Sequence, residues 1–352
     1  MIIEKSVWWC IDFINQFMRI RLLICVLLLN IIIACGKDDT VSNEDNKNNY
    51  ELECIWDKDS HCAFTSLVKY NNKYYCCFRE ASTHIPINNE EYGKIRILES
   101  IDGCNWYSVD LIEDKECDLR DPQLNITPDG KLMLLCGSSS FNSKGIFGAN
   151  NSRVYFYDSN FIKSPHSEIL IDGICRKEWL WKITWYDNIA YGIAYSGGDT
   201  NSLLLVKSTD GVNYSSVSDF DIAGNEADIT FIDKQMLVVC RSIDHTDNGY
   251  IGYSSPPYDE WEWNQLNHLV QSPELINIEG TIILAGRGAS GATIYTINNC
   301  EVSPKLVLPS DGDAGYPGLI YDNENNKLWM SYYTTPSTTQ IYLAKIFIKD
   351  IL

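Results

Sequence analysis

The chain has 352 residues and a formal net charge of −19, with 28 Lys and Arg set against 47 Asp and Glu. A chain so acidic, with no basic block, is a poor partner for nucleic acid or anionic lipid headgroups, because its field repels both. An anionic ligand can be held only by a local cluster of arginines acting against that field.

In chain order, the first feature is an apolar run over residues 21–34, which follows Arg19 and Arg21 and ends on Ala34. This is the layout of a secretory signal peptide, and the run falls short of the about 20 apolar residues that a spanning helix needs. Ile32-Ile33-Ala34-Cys35 resembles a bacterial lipobox, which implies that Cys35 is lipidated and anchors the mature chain to a membrane. Met18 makes a more ordinary leader than Met1, so translation is expected to begin there. Residues 36–49 are polar, with Val41 the one aliphatic residue, and read as a tether that cannot bury enough surface to order itself. Lys37-Asp38-Asp39 resembles the export signal that sends lipoproteins of Bacteroides-like bacteria to the outer face of the outer membrane. The expected division is therefore 1–34 leader, 35–50 lipidated cysteine and tether, and 51–352 folded domain.

Of the 13 cysteines, those beyond the lipobox form no Cys-x-x-Cys and have no histidine at zinc-like spacing, so no metal centre or cofactor is expected. Cys76, Cys77, Cys136 and Cys240 sit in apolar runs and read as buried small hydrophobes. Cys54 and Cys62 are the one pair assigned a disulfide.

Past residue 50 no helical period survives; short runs rich in Val, Ile, Tyr, Phe and Trp alternate with Asn, Asp and Gly turns, an all-β signature. One hairpin recurs six times, with its turns at Asn72, Gly130, Asn188, Lys234, Gly280 and Asn326, spaced 58, 58, 46, 46 and 46 residues apart. That spacing suits a four-stranded propeller blade, so the expected fold is a six-bladed β-propeller. Residues 51–56 and 341–348 would meet in one blade and close the ring, removing the open sheet edges.

Seven residues past each turn stand Arg79, Gly137, Tyr195, Arg241, Arg287 and Tyr333. A shared register puts them at equivalent strand ends around one mouth. Three guanidiniums there would grip one carboxylate through bidentate charge-assisted bonds.

Several segments resemble the sialidase superfamily, and together they span residues 60–348. Ser100-Ile-Asp102-Gly103-Cys-Asn-Trp106 and Ser208-Thr-Asp210-Gly211-Val-Asn-Tyr214 look like its Asp-box, a structural turn. Phe78-Arg79 is similar to the start of its first-blade Phe-Arg-Ile-Pro motif, Asn225-Glu226 running into Arg241 to its glutamate segment, and Gly315-Tyr316-Pro317-Gly318 to the segment carrying its nucleophile. Residues 78–84, 118–122, 179–185 and 313–318 further resemble a sialidase-like branch of that superfamily. The resemblance implies that Arg79, Arg241 and Arg287 bind a substrate carboxylate and that Tyr316, activated by Glu226, attacks the anomeric carbon. A neutral phenol avoids the repulsion that a carboxylate nucleophile would meet from an acidic sugar.

The departure is the acid/base. The family places an aspartate between the first arginine and the first Asp-box, whereas residues 80–96 hold His84, Glu90 and Glu91 but no aspartate. Either one of these substitutes, or the leaving-group chemistry differs; Arg120-Asp121, opening the second blade, adds an acid and another arginine. Trp179, nearest a strand start, is assigned to a sugar platform and Tyr333 to substrate contact, while Trp261 and Trp263 read as packing.

The expected protein is a monomeric, surface-anchored exo-glycosidase of sialidase type, acting on a glycan that bears a carboxylate sugar. Two alternatives stay open: a propeller polysaccharide lyase or uronic-acid glycosidase in which His84 and Tyr316 move the proton, and a non-catalytic glycan-binding lipoprotein.

Overall fold

A computed structural model describes residues 50–352, apart from 59–60, 87–91, 142–146, 176–177, 197–202, 245–247 and 336–338. The leader, Cys35, the tether, Glu90 and Glu91 lie outside the described residues.

The chain folds into six sheets, a six-bladed β-propeller; they are antiparallel except where the short strand Leu170–Ile171 runs parallel to Asn213–Phe220 at the edge of the third blade. The first blade comprises His61–Tyr70, Lys73–Ala81, Lys94–Ser100 and Tyr107–Ile112. The second blade opens with Asp118–Ile126, the third with Trp179–Tyr186, the fourth with Gly224–Ile232, the fifth with Gln271–Ile278 and the sixth with Gly315–Asp322. These opening strands touch one another in cyclic order, the sixth against the first, and so surround the axis. In the sixth blade Tyr50–Trp56 pairs antiparallel with the C-terminal strand Gln340–Phe347, as expected, so the first and last strands of the propeller share one sheet.

The turns explain why the hairpins repeat. Asn71 and Asn72 have φ of 48° and 61°, and Asp187 and Asn188 have 49° and 62°. Two successive left-handed residues make the turn whose twist matches the flanking strands, and Asn and Asp tolerate that conformation best. Both Asp-box turns have the expected geometry. Asp102 Oδ1 accepts from the backbone N–H groups of Cys104 and Asn105 at 2.9 and 2.8 Å, and Asp210 Oδ1 from those of Val212 and Asn213 at 2.8 Å.

The core is divided between the blades. Tyr75, Ile95 and Ile97 of the first blade pack with Leu132, Leu134 and Tyr155 of the second. Phe64, Phe78 and Leu98 pack with Trp329, Tyr333 and Ile341 of the sixth. Each blade thus buries both faces, and truncating one such Leu or Ile to Ala would cost about 2–5 kcal/mol. Trp261 and Trp263 stack 5.3 Å apart against Phe220, the packing role expected of them. Cys76, Cys77, Cys136 and Cys240 are buried and free. The disulfide assigned to Cys54 and Cys62 is not formed: Cys54 is exposed and its thiol donates to the Trp56 carbonyl at 3.5 Å, whereas Cys62 is fully buried.

A feature unseen in the sequence reading positions the site. Every opening strand loses register at the same place, between Ala63 and Ser66, Arg120 and Gln123, Leu180 and Ile183, Gly224 and Ala227, Gln271 and Glu274, and Gly315 and Gly318. Two residues there oppose one, a β-bulge that bends the strand and re-aims a side chain. Phe64, Asp121, Ser272 and Tyr316 occupy four of these bulges with φ of 64°, 47°, 47° and 47°. Left-handed backbone at non-glycine residues is strained and persists only where its surroundings over-determine it.

Candidate active site

Tyr316 leaves the sixth-blade bulge and meets Glu226 from the fourth. Its hydroxyl donates to Glu226 Oε1 at 2.5 Å. Arg241 Nη1 donates to the same oxygen at 2.8 Å, and the Ser272 backbone N–H donates to Oε2 at 3.1 Å. The backbone of Tyr316 is held as firmly: its N–H donates to Ser272 Oγ at 3.1 Å, and its carbonyl accepts from Thr65 Oγ1 at 2.7 Å. Bulge residues of the first, fourth, fifth and sixth blades thus fix one phenol. Burial, followed by the Glu226 and Asp121 carboxylates, raises the Tyr316 hydroxyl well above its ordinary range, so the phenol is a neutral donor with its proton directed at a carboxylate.

The four arginines are used differently from one another. Arg79 has no exposed side-chain surface. Its Nη2 donates to Asp118 Oδ1 at 2.7 Å and its Nη1 to the Thr83 carbonyl at 2.9 Å. Gly93 makes room for it, since a Cβ there would lie 2.2 Å from Arg79 Nε. The expectation that Arg79 grips a substrate carboxylate is therefore corrected: its donors are spent on Asp118 and the following loop. Arg120, partly exposed, takes the other Asp118 oxygen at 3.4 Å, and its buried Nε has no hydrogen-bond partner. Arg241 is paired with Glu226 and Arg287 with Asp313, Arg287 being the most open at 36% exposure.

Asp121, on the second-blade bulge, is buried, and its Oδ1 has no hydrogen-bond partner. Burial raises its carboxyl from 3.8 to about 6, against the lowering pull of Arg120, while Glu226 raises it further. Below about pH 6, where Asp121 keeps its proton, four arginines face the three carboxylates of Asp118, Glu226 and Asp313. The mouth then carries a surplus positive charge in a chain of net charge −19, which suits a ligand carboxylate.

The far side of the mouth holds Asp313, which accepts from Arg287 Nη1 on Oδ1 at 2.9 Å and lies 3.2 Å from His84 Nδ1 through Oδ2. His84 is exposed and its ring meets Phe64 edge-on at 5.4 Å, while Phe64 in turn meets Tyr316 at 4.7 Å. His61 stands edge-to-face with His84 at 5.3 Å. Burial, then His84 and Arg79, push the His61 imidazole down to about 4, so it is neutral at pH 7. Tyr333 has no exposed surface, so its expected contact with substrate is corrected; burial and the Asp313 carboxylate beside it raise its hydroxyl well above the usual range. Trp179 is half-buried, stacked on Tyr195 at 5.9 Å and lying over Gly137, where a Cβ would meet its ring at 2.5 Å.

Tyr316, Glu226, Arg241, Asp121 and Arg120 thus come together, and His84 and Arg287 join them across Phe64. Phe64, Ser272, Asp118, His61 and the role of Asp313 escaped the sequence reading. A signal existed for one of them: Asp121-Pro122, Ser272-Pro273 and Tyr316-Pro317 are the same dipeptide position in three blades, and a proline inside an inner strand marks a bulge.

Solved structures share this architecture. A Dyadobacter fermentans protein of unknown function aligns with a TM-score of 0.72 at 17% identity, over 84% of this chain and 98% of that one. Trypanosoma rangeli sialidase aligns with a TM-score of 0.61 at 11% identity, over 86% of this chain but only 60% of the longer enzyme. An α-L-arabinofuranosidase from Fusarium graminearum aligns with a TM-score of 0.59 at 13% identity, over 86% of this chain and 99% of that one. No protein-family model and no curated protein matches the chain. At such identities the likeness is one of fold: the chain is a six-bladed β-propeller of the architecture those proteins share.

Proposed function

We propose that the chain is a retaining glycoside hydrolase that removes a terminal acidic sugar from a glycan. The observation that carries this reading is the 2.5 Å hydrogen bond from Tyr316 to Glu226. As the phenol oxygen attacks the anomeric carbon, its proton passes to Glu226; the glycosidic bond breaks, and the leaving oxygen takes the proton of Asp121. Water then attacks the anomeric carbon, gives its proton to the Asp121 carboxylate and displaces the phenol oxygen, which recovers its proton from Glu226. Two inversions retain the configuration. Asp121 suits the acid role because its carboxyl is raised to about 6, near the pH at which a general acid works best.

The acidic sugar is inferred from the surplus of guanidinium charge, with Arg120, Arg241 and Arg287 as its ligands and Arg79 behind them. The lipobox-like Ile32-Ile33-Ala34-Cys35 supports a further part of the reading, that Cys35 anchors the enzyme at a cell surface.

The test is incubation of the protein with sialyl, uronosyl and arabinofuranosyl glycans, with the products read by mass spectrometry and proton NMR. Release of an acidic sugar with its anomeric configuration retained is expected. An unsaturated product would mean a lyase, inversion would remove Tyr316 as nucleophile, and selective release of arabinose would refute the acidic substrate.

A further inference from the structure

We propose that His61, His84 and Asp313 form a binding site for a divalent cation of the zinc class at the rim of the mouth. One ligand atom from each residue lies within 4.8 Å of the others. They come from distant stretches: His61 starts the first inner strand, His84 follows the second strand of that blade, and Asp313 precedes the sixth blade. Two imidazole nitrogens and one carboxylate oxygen are a donor set that zinc and its neighbours favour over calcium or magnesium, which prefer oxygen alone.

The geometry needs little adjustment. With bonds of about 2.0–2.2 Å, donors on a tetrahedral ion lie about 3.4 Å apart. His84 Nδ1 and Asp313 Oδ2 already stand 3.2 Å apart, and His84, its side chain 47% exposed, has room to close the remaining gap to His61. His61 supplies an independent sign of an incomplete site: its Nδ1 is buried and has no hydrogen-bond partner, a condition that calls for an explanation such as an ion. The supporting contacts also suit a metal site. Arg287 holds the Oδ1 of Asp313, leaving Oδ2 toward His84, and Thr335 Oγ1 donates to the Asp313 carbonyl at 2.5 Å, pinning the loop. Such second contacts orient a ligand and raise affinity.

Three protein ligands leave open positions on a tetrahedral or five-coordinate ion. Because Asp313 is shared with Arg287, the ion's charge is not fully balanced by the protein, and an oxygen of an anionic ligand completes it. The site therefore goes beyond the hydrolytic reading: it would add a second point of attachment across Phe64 from Tyr316.

The experiment reads metal binding without any substrate, so its outcome is separable from that of the hydrolysis assay. The full chain, stripped with chelator, is titrated calorimetrically with zinc chloride and separately with calcium chloride, and cobalt(II) is added for visible spectroscopy. Expected are one equivalent of zinc, no calcium binding at the same concentrations, cobalt bands in the visible and a higher Tm with zinc. His84→Ala and His61→Ala should each weaken zinc binding at least about tenfold and abolish the rise in Tm. His84 is exposed, so its variant tests the site even if His61→Ala folds poorly; circular dichroism reads the fold. Absence of zinc binding would overturn the proposal, as would binding by His84→Ala as tight as by the parent with the same cobalt spectrum, which would mean an ion held elsewhere, such as at the exposed Cys54, Cys104 or Cys175.

Discussion

The Tyr316 hydroxyl and Glu226 Oε1 lie 2.5 Å apart although they are 90 residues distant in the chain and sit on different blades. Charge-assisted O–H···O⁻ bonds of this length are among the stronger hydrogen bonds in proteins. Tyr316→Phe should reduce kcat to background while leaving KM nearly unchanged, and Glu226→Gln should lower kcat by about 10²–10⁴. The double variant should be little worse than Tyr316→Phe alone, because the two act as a unit. Steady-state kinetics on the three variants checks this; additive losses would mean that the residues act separately.

Asp121 links activity and stability to pH. As a general acid it must be protonated, so kcat/KM should fall as pH rises through about 6, and Asp121→Asn should remove that limb along with most of the activity. The same shift has a stability consequence. The folded carboxyl holds its proton up to about 6, whereas the unfolded one releases it near 3.8. The stabilisation from this group is thus complete below the unfolded value and is lost as pH rises through the folded one. The difference between the folded and unfolded values corresponds to about 3 kcal/mol. Urea unfolding of the parent and of Asp121→Asn between pH 4.5 and 8 should show the two curves converging in stability, or the variant gaining, as pH increases.

Arg79 and Arg120 share Asp118, yet their substitution should differ. Arg79→Ala leaves a void and a buried carboxylate held only by the Gly93 N–H at 2.5 Å and by Arg120 at 3.4 Å, and should cost about 3–5 kcal/mol of stability. Gly93→Ala should disturb the same pair, because its Cβ would lie 2.2 Å from Arg79 Nε. Arg120→Ala and Arg287→Ala should instead weaken an acidic ligand by about 1.5–3 kcal/mol each, with little rescue by Lys, which lacks the bidentate fork. Arg96, bound to Glu80 and lying over Trp56, is the control. Calorimetry with an acidic and a neutral sugar separates the cases: equal binding of both sugars by every variant would remove the carboxylate site.

Cys35→Ala should release the protein from membranes and leave its thermal unfolding unchanged, because the propeller closes on its own ends through Tyr50–Trp56 and Gln340–Phe347. Fractionation after a high-salt wash is the measurement, and a variant still bound would refute the lipid anchor.

The sequence by itself determined the propeller, since each blade is built from local hairpins whose turn chemistry and spacing repeat along the chain. Asn71-Asn72 and Asp187-Asn188 specify their turns without help from distant residues, and two Ser-x-Asp-Gly turns set the register of their blades. Counting from a turn, valid while the strand stays regular, also put Arg241 at the mouth, and the resemblance of residues 225–226 and 315–318 to sialidase segments put Glu226 and Tyr316 there. Counting fails at a bulge. Arg241 stands opposite the fourth-blade bulge and reaches Glu226, whereas Arg79 and Arg287 each pair with the residue just before a bulge, and of these two Arg79 is withdrawn behind Asp118 while Arg287 stays open. The neighbours of each bulge belong to other blades, and His84 meets Asp313 across 229 residues. Only the closure of the ring decided which arginines stay exposed, which carboxyl has its pKa raised and which histidines meet an aspartate, because burial and charge pairing are set by blades that approach each other only in the folded protein.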